Sequence, residues 1–181
     1  MKHLINIISI FAVLLLSSCG KKDPKEMAIS EGGVISPEGD GFSLTAPDHW
    51  KFIKDLHDEA GLQIGNERRE EYFIVLSELK EDFAGDLNKY GDVTAGNVAD
   101  SLLNASASEP KEVSLGGLAA IQQQITGGIE NTNVSYLHTV LETDTRYHQI
   151  VCWTLKSKES VAIPLFEKVL KSLKQTPETD L

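Results

Sequence analysis

The segment Tyr72-Phe-Ile-Val-Leu-Ser-Glu-Leu79 is apolar on both sides of a β-strand: at period two, Phe73, Val75 and Leu79 fall on one face and Tyr72, Ile74 and Leu76 on the other. Such a strand has no face to give to water. It must lie inside a sheet that is covered on both sides.

Neighbouring segments supply the rest of that sheet. Phe42 to Pro47 reads as a short alternating strand closed by proline, followed by Lys51-Phe52-Ile53 and by Leu62 to Asn66, with a charged turn from Glu67 to Glu71 before the central strand. Val113 to Thr126 reads as a strand pair or as one strand bent at Gly116-Gly117, and Gly127 to Thr132 turns the chain into a strand over Asn133 to Glu142. Thr143-Asp144-Thr145 makes a tight hairpin into Arg146 to Leu155. Two helices are expected. Val98, Leu102 and Leu103 recur at helical spacing and place one over 95–104, with an extension toward Leu87. Leu165, Phe166, Val169, Leu170 and Leu173 form the stripe of the other, over Pro164 to Lys174, with proline at its start and lysines toward its end. The expected fold is therefore α+β, an antiparallel β-sheet covered by helices on both faces. The domain spans 42–174 and is followed by a loose polar tail over 175–181.

The chain ahead of this domain has a different character. Lys2 and His3 precede an apolar run from Leu4 to Leu16, too short to span a bilayer, and the small residues Ser17 and Ser18 then lead to Cys19. Residues 1–18 are thus a secretory signal. Leu16-Ser17-Ser18-Cys19 resembles the lipobox of bacterial lipoproteins, which implies cleavage before Cys19 and conversion of that residue to a diacylglyceryl cysteine carrying acyl chains such as palmitate. Two or more chains, at about 0.8 kcal/mol per buried CH₂, would hold the protein on its membrane permanently. Gly20 follows where inner-membrane lipoproteins of Gram-negative bacteria carry Asp, so the resemblance implies the outer membrane, facing the periplasm, if the source is Gram-negative. Residues 19–41, rich in glycine and with two prolines, read as a lipidated flexible stem; a coil of this length spans about 25 Å.

Removing residues 1–18 takes away one base, Lys2, and no acid. The 17 basic side chains become 16 against 27 acidic ones, a formal charge of −11. Nucleic acid is excluded as an expected partner, because binding it requires a basic footprint. With Cys19 lipidated, only Cys152 remains of the two cysteines, so no intramolecular disulfide can form. Its neighbours Ile150, Val151, Trp153 and Leu155 place it in the core, and stability must come from packing.

Several of these segments carry a family likeness. Phe42-x-Leu44-x-x-Pro47-x-x-Trp50, Val113-x-Leu115-x-Gly117, the hairpin from Tyr136 to Leu155 and the closing Pro164-x-Phe166-x-x-Val169-Leu170-x-Ser172-Leu173-Lys174 together resemble the PsbP-like α/β/α sandwiches. That group includes extrinsic photosystem subunits, a Ran-binding import factor and bacterial envelope proteins of the DcrB type. The resemblance implies a fold and, since its members mostly bind partners, a non-catalytic role; it carries no shared functional residue.

No phosphate-binding loop, nucleophile elbow, His-Glu-x-x-His pair, Cys-x-x-Cys pair or EF-hand loop is present, and no cofactor is expected. Catalytic residues are assigned to none. The acidic pairs Glu70-Glu71 and Glu81-Asp82 read as solvated turns. With a three-residue loop at 143–145, Val140 faces His148 and His138 faces Ile150. His138 and His148 then become diagonal neighbours on one face, a candidate metal pair short of a third ligand that His49 or His57 would have to supply. Ordinary strand histidines remain the simpler reading. Trp50 and Trp153 read as core aromatics that could alternatively line a groove. In the acidic stretch from Glu81 to Asp92, Phe83 and Tyr90 are the candidate anchors for a partner protein, which would present a basic surface. The expected function is that of a membrane-tethered envelope lipoprotein acting as a binding or structural module. A periplasmic enzyme, or a small-ligand or metal binder with a cleft, is the alternative.

Overall fold

The computed structural model describes residues 33–37 and 41–177. The expected signal segment, 1–18, and the expected lipidation site Cys19 lie outside them. In chain order the strands are β1 (Val34–Ile35), β2 (Phe42–Thr45), β3 (Lys51–Phe52), β4 (Leu62–Asn66), β5 (Glu71–Leu79), β6 (Leu103–Ala107), β7 (Lys111–Leu115), β8 (Leu118–Ile129), β9 (Thr132–Glu142), β10 (Arg146–Leu155) and β11 (Lys174–Gln175). Helix α1 spans Leu87–Asp100 and α2 spans Glu159–Lys171.

Eight strands form the main antiparallel sheet in the order β3-β4-β5-β10-β9-β8-β6, with β7 sharing the outer edge of β8. At 12 residues β8 is long enough for both: Leu118 to Gln122 pairs with β7, and Ile125 to Gly128 pairs with β6. The doubly apolar β5 lies inside the sheet between β4 and β10, as its pattern requires. Phe73 and Val75 join a core with Leu137, Leu141, Ile150 and Cys152 beneath Phe166, Val169 and Leu170 of α2. Ile74 joins a second core with Ile125, Tyr136, Val151 and Trp153 beneath Ala95 of α1. Helices therefore cover both faces, and a small sheet, β1-β2-β11, closes the α2 side with Ile35, Phe42 and Leu44. Cys152 is fully buried, and burial raises its thiol pKa well above the ordinary value.

Four boundaries differ from the sequence reading. Val34 and Ile35, expected in the stem, pair with Thr45 and Leu44, and Ile35 is buried. The helix expected over 95–104 does extend to Leu87, where Asp86 caps it by accepting from the Lys89 amide at 2.9 Å. It ends at Asp100, because Leu103 to Ala107 are taken by the free edge of β8. The last helix begins at Glu159, well before Pro164, which sits in its second turn and deprives the Ser160 carbonyl of an intrahelical donor. It stops at Lys171; Lys174 and Gln175, read as helix end and loose tail, pair with Ser43 and Phe42.

The β7–β8 turn shows why glycine is needed at one position. Gly116 has φ +60, and a Cβ there would sit 2.6 Å from the Leu173 carbonyl oxygen.

Candidate ligand-binding cleft

Helix α1 does not lie evenly on its face of the sheet. Near its start it approaches closely, since a Cβ on Gly91 would sit 3.1 Å from Val140 Cγ2. Toward its end it presents Asn97, Asp100 and Ser101, which do not pack into an apolar floor, and a cavity of about 300 Å³ opens between helix and sheet. That volume is at the lower end of the ~300–1,000 Å³ typical of small-molecule sites.

The floor is apolar: Ile74 and Leu76 from β5, Tyr136 from β9, Val151 and Trp153 from β10, Ile129 at the end of β8, and Val98 from the helix. Trp153 is flanked by Tyr72 at 5.0 Å and Tyr136 at 6.1 Å between ring centroids, which fixes the aromatic wall. Burial pushes the Tyr136 hydroxyl up to about pKa 12, so it stays protonated. The mouth is polar, with His57, Glu59, Asn97, Asp100 and Ser101, and the buried Gln149 adds a polar group to the lining. The loop that carries His57 and Glu59 is held by Gln63, whose Oε1 accepts from the Leu56 and His57 amides at 2.8 and 3.0 Å. Ser101 donates to the Val98 carbonyl at 2.7 Å, and His57 Nδ1 accepts from the Glu59 amide at 3.2 Å. These groups can hold and orient a ligand. Two other depressions, of about 450 and 360 Å³, have charged linings that include Lys51, Lys54 and Glu67 in one and Asp86, Glu112 and Glu142 in the other.

The residues singled out in the sequence fall in several places. His138 and His148 are not on one face. The hairpin pairs Glu142 with Tyr147, His148 with Leu141 and His138 with Val151, one residue away from the expected register. Thr143 donates its amide to the Arg146 carbonyl at 3.0 Å and so pairs with Arg146, leaving Asp144 and Thr145 as a two-residue turn in place of the expected three-residue loop. A slip of one residue moves a side chain to the other face. His138 accordingly lies on the α1 side and His148 on the α2 side, where His148 packs edge-on against Phe42 and bonds Ser77 Oγ and Thr143 Oγ1, both at 2.9 Å. The two cannot share a metal, and among the described residues no group of three ligands is assembled.

His138 has a different character from an ordinary strand histidine. It is 1 % exposed, its Nε2 has no hydrogen-bond partner among the described residues, and burial depresses its pKa to about 4. Its strand neighbours are Gln123 and Val151. With Gln123 and Gln149 it separates the apolar cluster beneath the end of α1 from a second one, Leu87, Tyr90, Val140 and Tyr147, beneath its start.

Phe83 and Tyr90 are not free anchors. Tyr90 is 3 % exposed on α1, stacked on Tyr147 at 4.9 Å, and Phe83 meets both rings edge-on at 5.1 and 5.9 Å. Burial, then the Glu78 carboxylate, raises the Tyr90 pKa. The acidic stretch that carries them is therefore half helix and packed from within.

Glu71 is not a solvated turn residue either. It is 4 % exposed, and its Oε2 accepts from Trp50 Nε1 and from His49 Nε2, each at 2.8 Å. His49 is thereby engaged far from His138. Trp50 lies in the core beneath α2, whereas Trp153 lines the cleft. The sequence reading offered a cleft only as its alternative, with Trp50 and Trp153 as possible groove residues; Trp153 lines it and Trp50 does not. The trace of the cleft in the sequence is polar Asn97, Asp100 and Ser101 on a helix over a sheet face that carries Tyr136, Val151 and Trp153.

No protein-family model matches the sequence, and no curated protein does. Solved structures do share the fold. LpqN of Mycobacterium tuberculosis, involved in cell envelope biogenesis, superposes with a TM-score of 0.61 at 14% identity, covering 78% of this chain and 87% of that one. The cyanobacterial PsbP protein, CyanoP, of Synechocystis gives 0.59 at 15% identity over 89% and 99%. PA94 of Pseudomonas aeruginosa gives 0.53 at 14% over 75% and 92%. At these identities the likeness is one of fold. The chain has a PsbP-like α+β fold, as its motifs imply.

Proposed function

We propose that this chain is a bacterial envelope lipoprotein, tethered through lipid on Cys19, whose domain is a non-catalytic binding module that takes its ligand in the cleft beneath α1. The cleft is the observation that carries the reading, because it joins an apolar, aromatic floor to a polar mouth on a rigid sheet. The fold shared with an envelope-biogenesis protein of another bacterium supports the location. Among the described residues no helix is long and apolar enough to cross a membrane, so in this reading attachment rests on Cys19. The lipidated chain works from the outer membrane, facing the periplasm, in a Gram-negative source.

Cys19→Ala tests the tether. Processing and acylation both require that thiol, so the variant is expected to lose detergent-phase partitioning and to accumulate as an uncleaved or soluble form. A Cys19→Ala protein that is correctly processed and still retained on membranes contradicts the reading.

A further inference from the structure

The mouth of the cleft carries an uncompensated charge. Among the lining residues Glu59 and Asp100 are acidic and none is Lys or Arg. His57 accepts the Glu59 amide at Nδ1, so that nitrogen presents no N–H to the carboxylates of the mouth. Glu78, next on the same sheet face but outside the lining, is held above its ordinary range by burial and then by the charges of Asp82 and Glu59, so the negative charge of Glu59 is felt beyond the mouth. The nearby ammonium of Lys80 is committed elsewhere, to Glu142 at 3.0 Å and over the Tyr147 ring at 5.4 Å. An apolar pocket ringed by like charge rejects a carboxylate or phosphate headgroup and gains by admitting a positive one. The chain's net charge of −10 acts in the same direction.

Resting on the reading of the cleft as a binding site, we propose that its ligand is a small amphipathic organic cation, with its apolar body on the Tyr136, Val151 and Trp153 floor and its positive head between Glu59 and Asp100. A neutral molecule of the same shape would use the floor and leave the carboxylates idle. The charge supplies selection, and the floor supplies the common part of the affinity.

The test compares benzyltrimethylammonium with its neutral isostere neopentylbenzene by calorimetric titration of the purified full chain. The cation is expected to bind about tenfold more tightly than the isostere, and a Glu59→Gln/Asp100→Asn double variant to lose most of that preference while still binding the isostere. Val98→Trp, which fills the cavity, is expected to abolish binding of both. Equal affinity of the wild type for the two probes overturns the cationic ligand and leaves the cleft standing. Binding that survives Val98→Trp, or the absence of binding by either probe, overturns the cleft as well.

Discussion

Phe166→Ala should cost the domain about 4 kcal/mol, enough to unfold a protein of ordinary marginal stability at physiological temperature. Phe166 is fully buried at the centre of the α2 face, with its ring 6.0 Å from that of Trp50. Helix α2 meets the sheet through buried Ala162, Phe166, Val169 and Leu170, of which Phe166 is the largest, and Pro164 has already cost the helix one backbone bond. Truncating Phe166 removes the transfer energy of the ring and leaves a cavity that Trp50 and Leu170 cannot both collapse into. Val161, on the same helix but 70 % exposed, is the control: Val161→Ala should change stability by less than about 0.5 kcal/mol. Chemical denaturation of the two variants separates these outcomes, and equal midpoints would mean that α2 is not docked as described.

The second large effect concerns pH. His138 has a folded-state pKa of about 4 against an ordinary 6.5, and its Nε2 is buried without a partner. Between those values the unfolded chain binds a proton that the folded chain refuses, so stability is fully present above pH 6.5 and falls as the pH drops toward 4. Below about 4 the folded state is protonated too, and the loss levels off. A depression of this size corresponds to roughly 3 kcal/mol. His138→Leu removes both the titration and the orphan nitrogen. Its stability should match or exceed that of the wild type at pH 7, and the fall between pH 6.5 and 4 should be flattened relative to the wild type. Superimposable pH profiles for the two proteins would show that His138 does not titrate in a buried setting.

The fold was largely legible because its information is local. Alternation on both faces of Tyr72 to Leu79 demanded a covered inner strand, and Leu62 to Asn66 and Arg146 to Leu155 carry enough apolar and β-branched residues to fix their own limits. What escaped depends on distant partners. Leu102 and Leu103 continue a helical spacing, yet the open edge of β8 gives the backbone from Leu103 onward a better use. Glu71 looks like one more charge in a turn, and only the N–H donors of Trp50 and His49, more than twenty residues earlier, make its burial affordable. The hairpin register depended on whether Thr143 pairs beside Glu142 or belongs to the loop. That single residue decided whether His138 and His148 meet. The cleft was the least legible feature, because it lies where α1 leaves a sheet face assembled from four strands, and no one segment records the gap.

The central claim is that the space beneath α1 is occupied in the working protein. Native mass spectrometry of the full chain taken from its own envelope, compared with the Val98→Trp variant prepared in the same way, tests it most directly. The wild type is expected to carry a noncovalent small-molecule mass that the variant lacks, with both folded and both bearing the same covalent lipid. Identical spectra, with no such mass on the wild type or with the same mass on both, would contradict the account.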